Sequence, residues 1–143
     1  MPTGSAASCD DWLRIAHQQK DAYAKLAEDD PTKYKYPIGL LTWQCSENSL
    51  KALSAGHKPP HSHDLDKIMR HLQRNGILTT SEISELRPYA GIVTGSRQYS
   101  DNKYPEKDPL YWENLSRTSL ISICENATNI LNFCDNRINL PSH

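Results

Sequence analysis

Trp43 to Leu72, WQCSENSLKALSAGHKPPHSHDLDKIMRHL, decides how this chain folds. From Trp43 to Ala55 there is no proline or glycine, and Leu50, Lys51, Ala52 and Leu53 are good helix formers, so the stretch is predicted to be helical until Gly56 stops it. Pro59 and Pro60 forbid immediate resumption. Ser62 or Asp64 can cap the next helix, in which Leu65, Ile68, Met69 and Leu72 recur at i, i+3, i+4 and i+7 and mark a core-facing stripe. Two helices therefore meet at a rigid corner rich in histidine.

The same logic extends in both directions. Upstream, Asp10 or Asp11 can cap a first helix with Trp12, Ile15, Ala16, Gln19, Ala22, Tyr23 and Leu26 on one face, ending at the acidic run Glu28-Asp29-Asp30 before Pro31. A second helix begins near Pro37, with Ile38, Leu41, Cys45 and Ala52 aligned. Downstream, the third helix runs from His63 or Asp64 to about Asn75 and is closed by Gly76. Thr79 and Glu82 form a capping box for a fourth, carrying Ile83, Leu86, Ala90 and Val93, with a kink expected at Pro88. Residues 95–109 are polar and proline-punctuated and read as a long surface loop of the kind that often carries function. Asp108-Pro109 then opens a last helix of about thirty residues with an apolar stripe from Leu115 to Ile138. No convincing strand pattern is present. The expected architecture is all-α, an antiparallel up-and-down bundle of about five helices with a long C-terminal helix. Residues 9–140 form its single domain, between a flexible N-terminus (1–8) and a short tail (141–143).

Composition narrows the function classes. The 143 residues fit one domain, and 37% hydrophobic with 23% charged residues is globular rather than disordered. No apolar run approaches the roughly 20 residues that a membrane span needs, and the N-terminus lacks a secretory pattern, so no membrane partner and a cytoplasmic location are expected. A net charge of −1 argues against bulk electrostatic binding of nucleic acid but leaves room for local patches. Cys9, Cys45, Cys124 and Cys134 form no C-x-x-C pair, and buried free thiols are the expectation. His57, His61, His63 and Asp64 do not follow a structural zinc spacing. His63 and Asp64 read as helix-start residues and His57 and His61 as solvated loop positions, so no metal site is assigned. Phosphate-binding glycine loops and G-x-S-x-G are absent.

Gln44, Glu47, Lys51, Ala52, Pro59, Pro60, Ser62, His63, Asp64 and Leu65 together resemble the HEPN family (higher eukaryotes and prokaryotes nucleotide-binding domain), with its Gln-x-x-Glu-x-x-x-Lys-Ala helix, proline loop and Ser/Thr-His-Asp-Leu helix start. Tyr89 and Ser96-Arg97-Gln98-Tyr99 resemble a later stretch of that family. The resemblance implies a helical domain that pairs as a homodimer and works beside a minimal nucleotidyltransferase. Catalytic members are metal-independent ribonucleases with Arg-x(4–6)-His, where histidine moves a proton and arginine stabilises phosphate charge. The literal match here, Arg137 to His143, contains Pro141 and has apolar Ile138 after the arginine, and no histidine follows Arg117 in range.

What remains is a cationic constellation. Lys67, Arg70, His71 and Arg74 share one helical face, Lys51 and His63 flank the corner, and Arg97 with Tyr99 sits on a loop that can cross it. Cations beside an aromatic suit phosphate and base, so Lys51, His63, Lys67, Arg97 and Tyr99 are the expected ligand-binding residues, with ATP, GTP or RNA as ligand and no cofactor. Glu47, four residues before Lys51, is in favourable order for an ion pair. Two other readings stand beside this one. The first is a toxin-type ribonuclease using His63 or His71, or else His17, with Arg97. The second is a dimerisation scaffold.

Overall fold

A computed structural model describes residues 8–54 and 59–139. Among these every regular element is helical: α1 (Cys9–Asp29), α2 (Lys35–Ala52), α3 (Leu65–Arg74), α4 (Thr80–Thr94), α5 (Tyr99–Lys103), α6 (Pro109–Glu113) and α7 (Arg117–Asn139), with a 3-10 turn at Pro105–Lys107. The five helices of ten residues or more make an antiparallel bundle, as expected. No described helix is long and apolar enough to cross a membrane. The expectations for residues 1–7, for the Gly56 stop, for His57 and Lys58, and for the 140–143 tail fall outside the described residues.

α2 is the central element, in contact with α1, α7, α3, α4 and α5. Its burial extends almost all round, so Thr42, Ser46 and Ser49 are enclosed although polar. Each hydroxyl returns a hydrogen bond to a carbonyl one turn back: Thr42 to Ile38 at 2.7 Å, Ser46 to Thr42 at 2.8 Å, Ser49 to Cys45 at 2.7 Å. That satisfies the groups without partners from other helices, the condition for burying them cheaply.

The capping expectations mostly hold, with one shift. α1 is capped by Ser8, whose hydroxyl accepts from the Asp11 amide while Asp11 accepts from the Ser8 amide. Ser8 therefore belongs to the fold rather than to a flexible terminus, and neither Asp10 nor Asp11 is the cap residue. The buried face of α1 is also rotated from the expected one: Leu13, Ala16 and Tyr23 are enclosed while Ile15 and Ala22 are exposed. At α3, Asp64 is the cap and accepts from the amides of Asp66 and Lys67, while Ser62 accepts from the amide of Asp64 itself and so holds the cap residue rather than the helix. Leu65, Ile68, Met69 and Leu72 are all buried. α4 continues through Pro88. Cys45, Cys124 and Cys134 are free and buried, and Cys9 is partly exposed. Burial pushes the Cys45 thiol up to about 12 and Cys124 to about 11, which keeps both protonated and unreactive.

Two expectations about the C-terminal third need correction. The predicted thirty-residue helix is two helices, because Ser116 accepts from the Ser119 amide and starts α7 afresh, leaving that helix at 23 residues. The predicted loop 95–109 contains α5 and the 3-10 turn. Polar composition hid them because only Asn102 of α5 is buried.

The Thr79–Glu82 box at α4 also anchors the end of the chain, since Glu82 accepts from Arg137 Nε at 2.9 Å while Arg137 Nη2 donates to the Ile77 carbonyl at 2.9 Å. Burial acts to raise the Glu82 pKa, but the Thr79 amide and the Arg137 guanidinium outweigh it and hold it below the ordinary 4.5. A carboxyl lowered in the folded state contributes stability above its unfolded pKa and loses it as pH falls. Glu82→Ala is expected to cost about 1 kcal/mol at pH 7. Denaturant unfolding should show the gap between variant and parent closing as pH drops below 4.5.

Candidate functional site

The corner between α2 and α3 is held by side chains one turn apart on α2. Trp43 Nε1 donates to the His63 carbonyl at 2.7 Å, and Glu47 accepts from Lys51 Nζ at 2.7 Å. His63 Nδ1 lies 3.0 Å from both Glu47 oxygens. Because a carboxylate only accepts, Nδ1 is the donor in this contact. The Glu47 and Lys51 side chains are only 8% and 10% exposed, whereas His63 is 58% exposed.

Over this corner lies the 97–112 segment. The ring of Tyr99 stacks on that of His63, with centroids 4.2 Å apart and planes 20° from parallel. It also meets Trp43 edge-on at 5.9 Å, and its hydroxyl accepts from Gln44 Nε2 at 3.2 Å. Arg97 is aimed by an uncommon turn. Gly95 (φ +57°) caps α4 and Ser96 follows at φ +63°, so two successive left-handed residues reverse the chain. The Arg97 guanidinium carbon then sits 3.6 Å from the Tyr111 ring centroid and 4.9 Å from that of Trp112. Its Nε and Nη1 are buried with no hydrogen-bond partner among the described residues.

The segment is fastened to α2 at Gly39. Asn102 donates to the Gly39 carbonyl at 2.8 Å, and Trp112, fully buried, occupies the space where a side chain at position 39 would be. A Cβ there would lie 2.2 Å from the indole.

Between α3, the second half of α4 and α5 this leaves a cleft of about 600 Å³, lined by His63, Lys67, Arg97 and Tyr99 with Arg87, Ala90, Gly91 and Thr94 of α4. Its size is ordinary for a small-molecule site. Comparison with protein-family models, with curated proteins and with solved structures yields no match to this chain. The cleft is therefore read from its own chemistry. Asp64 and Asp66 also line it, but Asp64 is engaged by the first amides of α3, and Asp66 by Arg70 at 2.5 Å and Arg87 at 3.7 Å. Neither Lys67 nor Arg97 has a carboxylate partner among the described residues.

Four of the five expected ligand residues thus share one cleft, and Lys51 does not. Its ammonium is turned inward against Glu47 and lies 5.9 Å from the Trp12 ring of α1, so it acts as an internal counter-ion. Arg87 was missed. Its sequence signal is an arginine one turn before Ala90-Gly91, where small side chains leave room. His71 lies outside the cleft, and His17 faces Asp135 at 3.3 Å on another part of the surface. Arg137 is occupied by Glu82 and Ile77, and the His143 that would complete its motif is outside the described residues. His61 is exposed, and no three His, Cys, Asp or Glu side chains among the described residues converge to hold a metal ion.

Proposed function

We propose that this chain is an HEPN-like helical domain, without a usable Arg-x(4–6)-His pair, that binds a nucleotide or a related phosphate-bearing polyanion in the α3–α4–α5 cleft. The observation that carries this reading is the His63–Tyr99 stack at the cleft wall, facing Lys67, Arg87 and an Arg97 whose guanidinium lacks an anionic partner. A stacking platform beside cations, of which Lys67 and Arg97 have no carboxylate partner among the described residues, suits a base joined to phosphates. The N-terminus of α3 adds little, because Asp64 already occupies its amides. The family resemblance extends the proposal to pairing with a second copy and to action beside a minimal nucleotidyltransferase.

Calorimetric titration with ATP and GTP tests it. Binding in the micromolar to low millimolar range is expected, with Lys67→Ala weakening it about tenfold, the effect of losing one charge-assisted contact. Lys67 is exposed, so this variant leaves the fold intact. Silence at millimolar ATP, GTP and short RNA would remove the reading.

One observation favours a second reading. With Nδ1 on Glu47, the Nε2 of His63 has no partner among the described residues and can take a proton from a bound ribose hydroxyl. Under this reading the chain is a metal-independent ribonuclease, and RNA cleavage would survive chelator and vanish in His63→Ala.

A further inference from the structure

Lys67 belongs to two cavities. On one side it lines the cleft. On the other it lines a shallow depression of about 330 Å³ with Pro60, Arg70, His71 and Arg74. That depression is walled by four nitrogen-bearing side chains and, among the described residues, no carboxylate. Asp66 engages Arg70 from the neighbouring face and partly offsets its charge, while Lys67 and Arg74 have no acidic partner there. From Lys67 to Arg74 is seven residues, about 10 Å along the helix axis. One phosphate cannot span that length.

We propose that the cleft holds one nucleotide of a single-stranded polynucleotide, whose following phosphates run over α3 along Lys67, Arg70, His71 and Arg74. The proposal rests on the nucleotide reading of the cleft and names its ligand class. The strand's base stacks at the His63–Tyr99 wall, its first phosphate meets Arg97 and Lys67, and two or three further phosphates lie on the helix face. A polar groove that follows a backbone beside an aromatic platform is how single strands are held without sequence readout. A polyphosphate or an acidic peptide would use the helix face and leave the aromatic wall idle. A duplex is disfavoured because its bases are not free to stack on Tyr99.

The experiment is fluorescence anisotropy and calorimetry with the full chain, comparing AMP and ATP with labelled oligo(A) and oligo(dT) of two, four, six and ten nucleotides. Affinity should rise about tenfold or more from one to four nucleotides and then level, with a salt slope near −2, the value for about three neutralised phosphates on a single strand. Arg74→Glu should erase the length gain and leave ATP binding unchanged, and Tyr99→Ala should weaken ligands of every length. A flat length series with ATP still bound would overturn the polynucleotide track while the nucleotide reading stands. Length-dependent binding that ignores Tyr99→Ala, or equal binding of polyphosphate, would overturn the ligand class. Loss of ATP and every oligonucleotide together would overturn both.

Discussion

Glu47→Ala is expected to destabilise the protein by about 3–5 kcal/mol, because it leaves the Lys51 ammonium buried without its counter-ion. The geometry makes this site severe. The Lys51 side chain is 10% exposed and its partner lies at 2.7 Å, with the Trp12 face a weak substitute at 5.9 Å. The same substitution frees His63 Nδ1, so the corner that holds the Tyr99 platform loosens as well. Denaturant unfolding of Glu47→Ala and of the double variant Glu47→Leu/Lys51→Met separates the two effects. Removing both charges together should recover most of the lost stability, since an apolar pair of similar volume replaces the ion pair without stranding a charge. It should not restore ligand binding to the parental level, because His63 still lacks its anchor. A double variant as unstable as the single one would show that the charge pair is not the source of the loss.

Trp112→Ala is expected to cost about 3–5 kcal/mol, the range for truncating a buried indole, which for a chain of this size is on the order of 10 °C in Tm. Trp112 is fully buried and seats on Gly39 of α2, and it is one of the two aromatic rings beneath Arg97. Stability and ligand affinity should therefore fall together. Gly39→Ala probes the same contact from the other side, since its Cβ would have to displace an indole atom 2.2 Å away. Such overpacking typically costs about 1–3 kcal/mol. Leu110→Ala, on the same short helix but 69% exposed, is the control and should stay within about 0.5 kcal/mol of the parent.

Legibility from sequence followed the range of the interaction. Caps and stripes are local: Thr79 with Glu82, Asp64 before Leu65, and the Leu65-Ile68-Met69-Leu72 face all involve residues within two turns, and all take the expected form. The α1 cap is equally local. Ser8 with Asp11 carries the capping-box pattern two to three residues upstream of the expected cap, and the rotated face of α1 follows from what α2 and α7 require of it. The split of α6 from α7 was harder to read, because the apolar stripe continues through a break that a serine cap imposes.

The helical class, the α2–α3 corner and the cationic face of α3 were determined by the amino-acid sequence alone, since each depends on propensity, capping and periodicity along a single segment. Only the tertiary structure decided which of those residues meet. The packed bundle enclosed the Glu47–Lys51 pair that sequence order already favoured, and Trp112 on Gly39 fixed the path of residues 97–112. That path set Tyr99 on His63 and left Arg97 above two aromatic rings. Contacts between residues 36 or 73 positions apart follow from how helices pack, which no local pattern records.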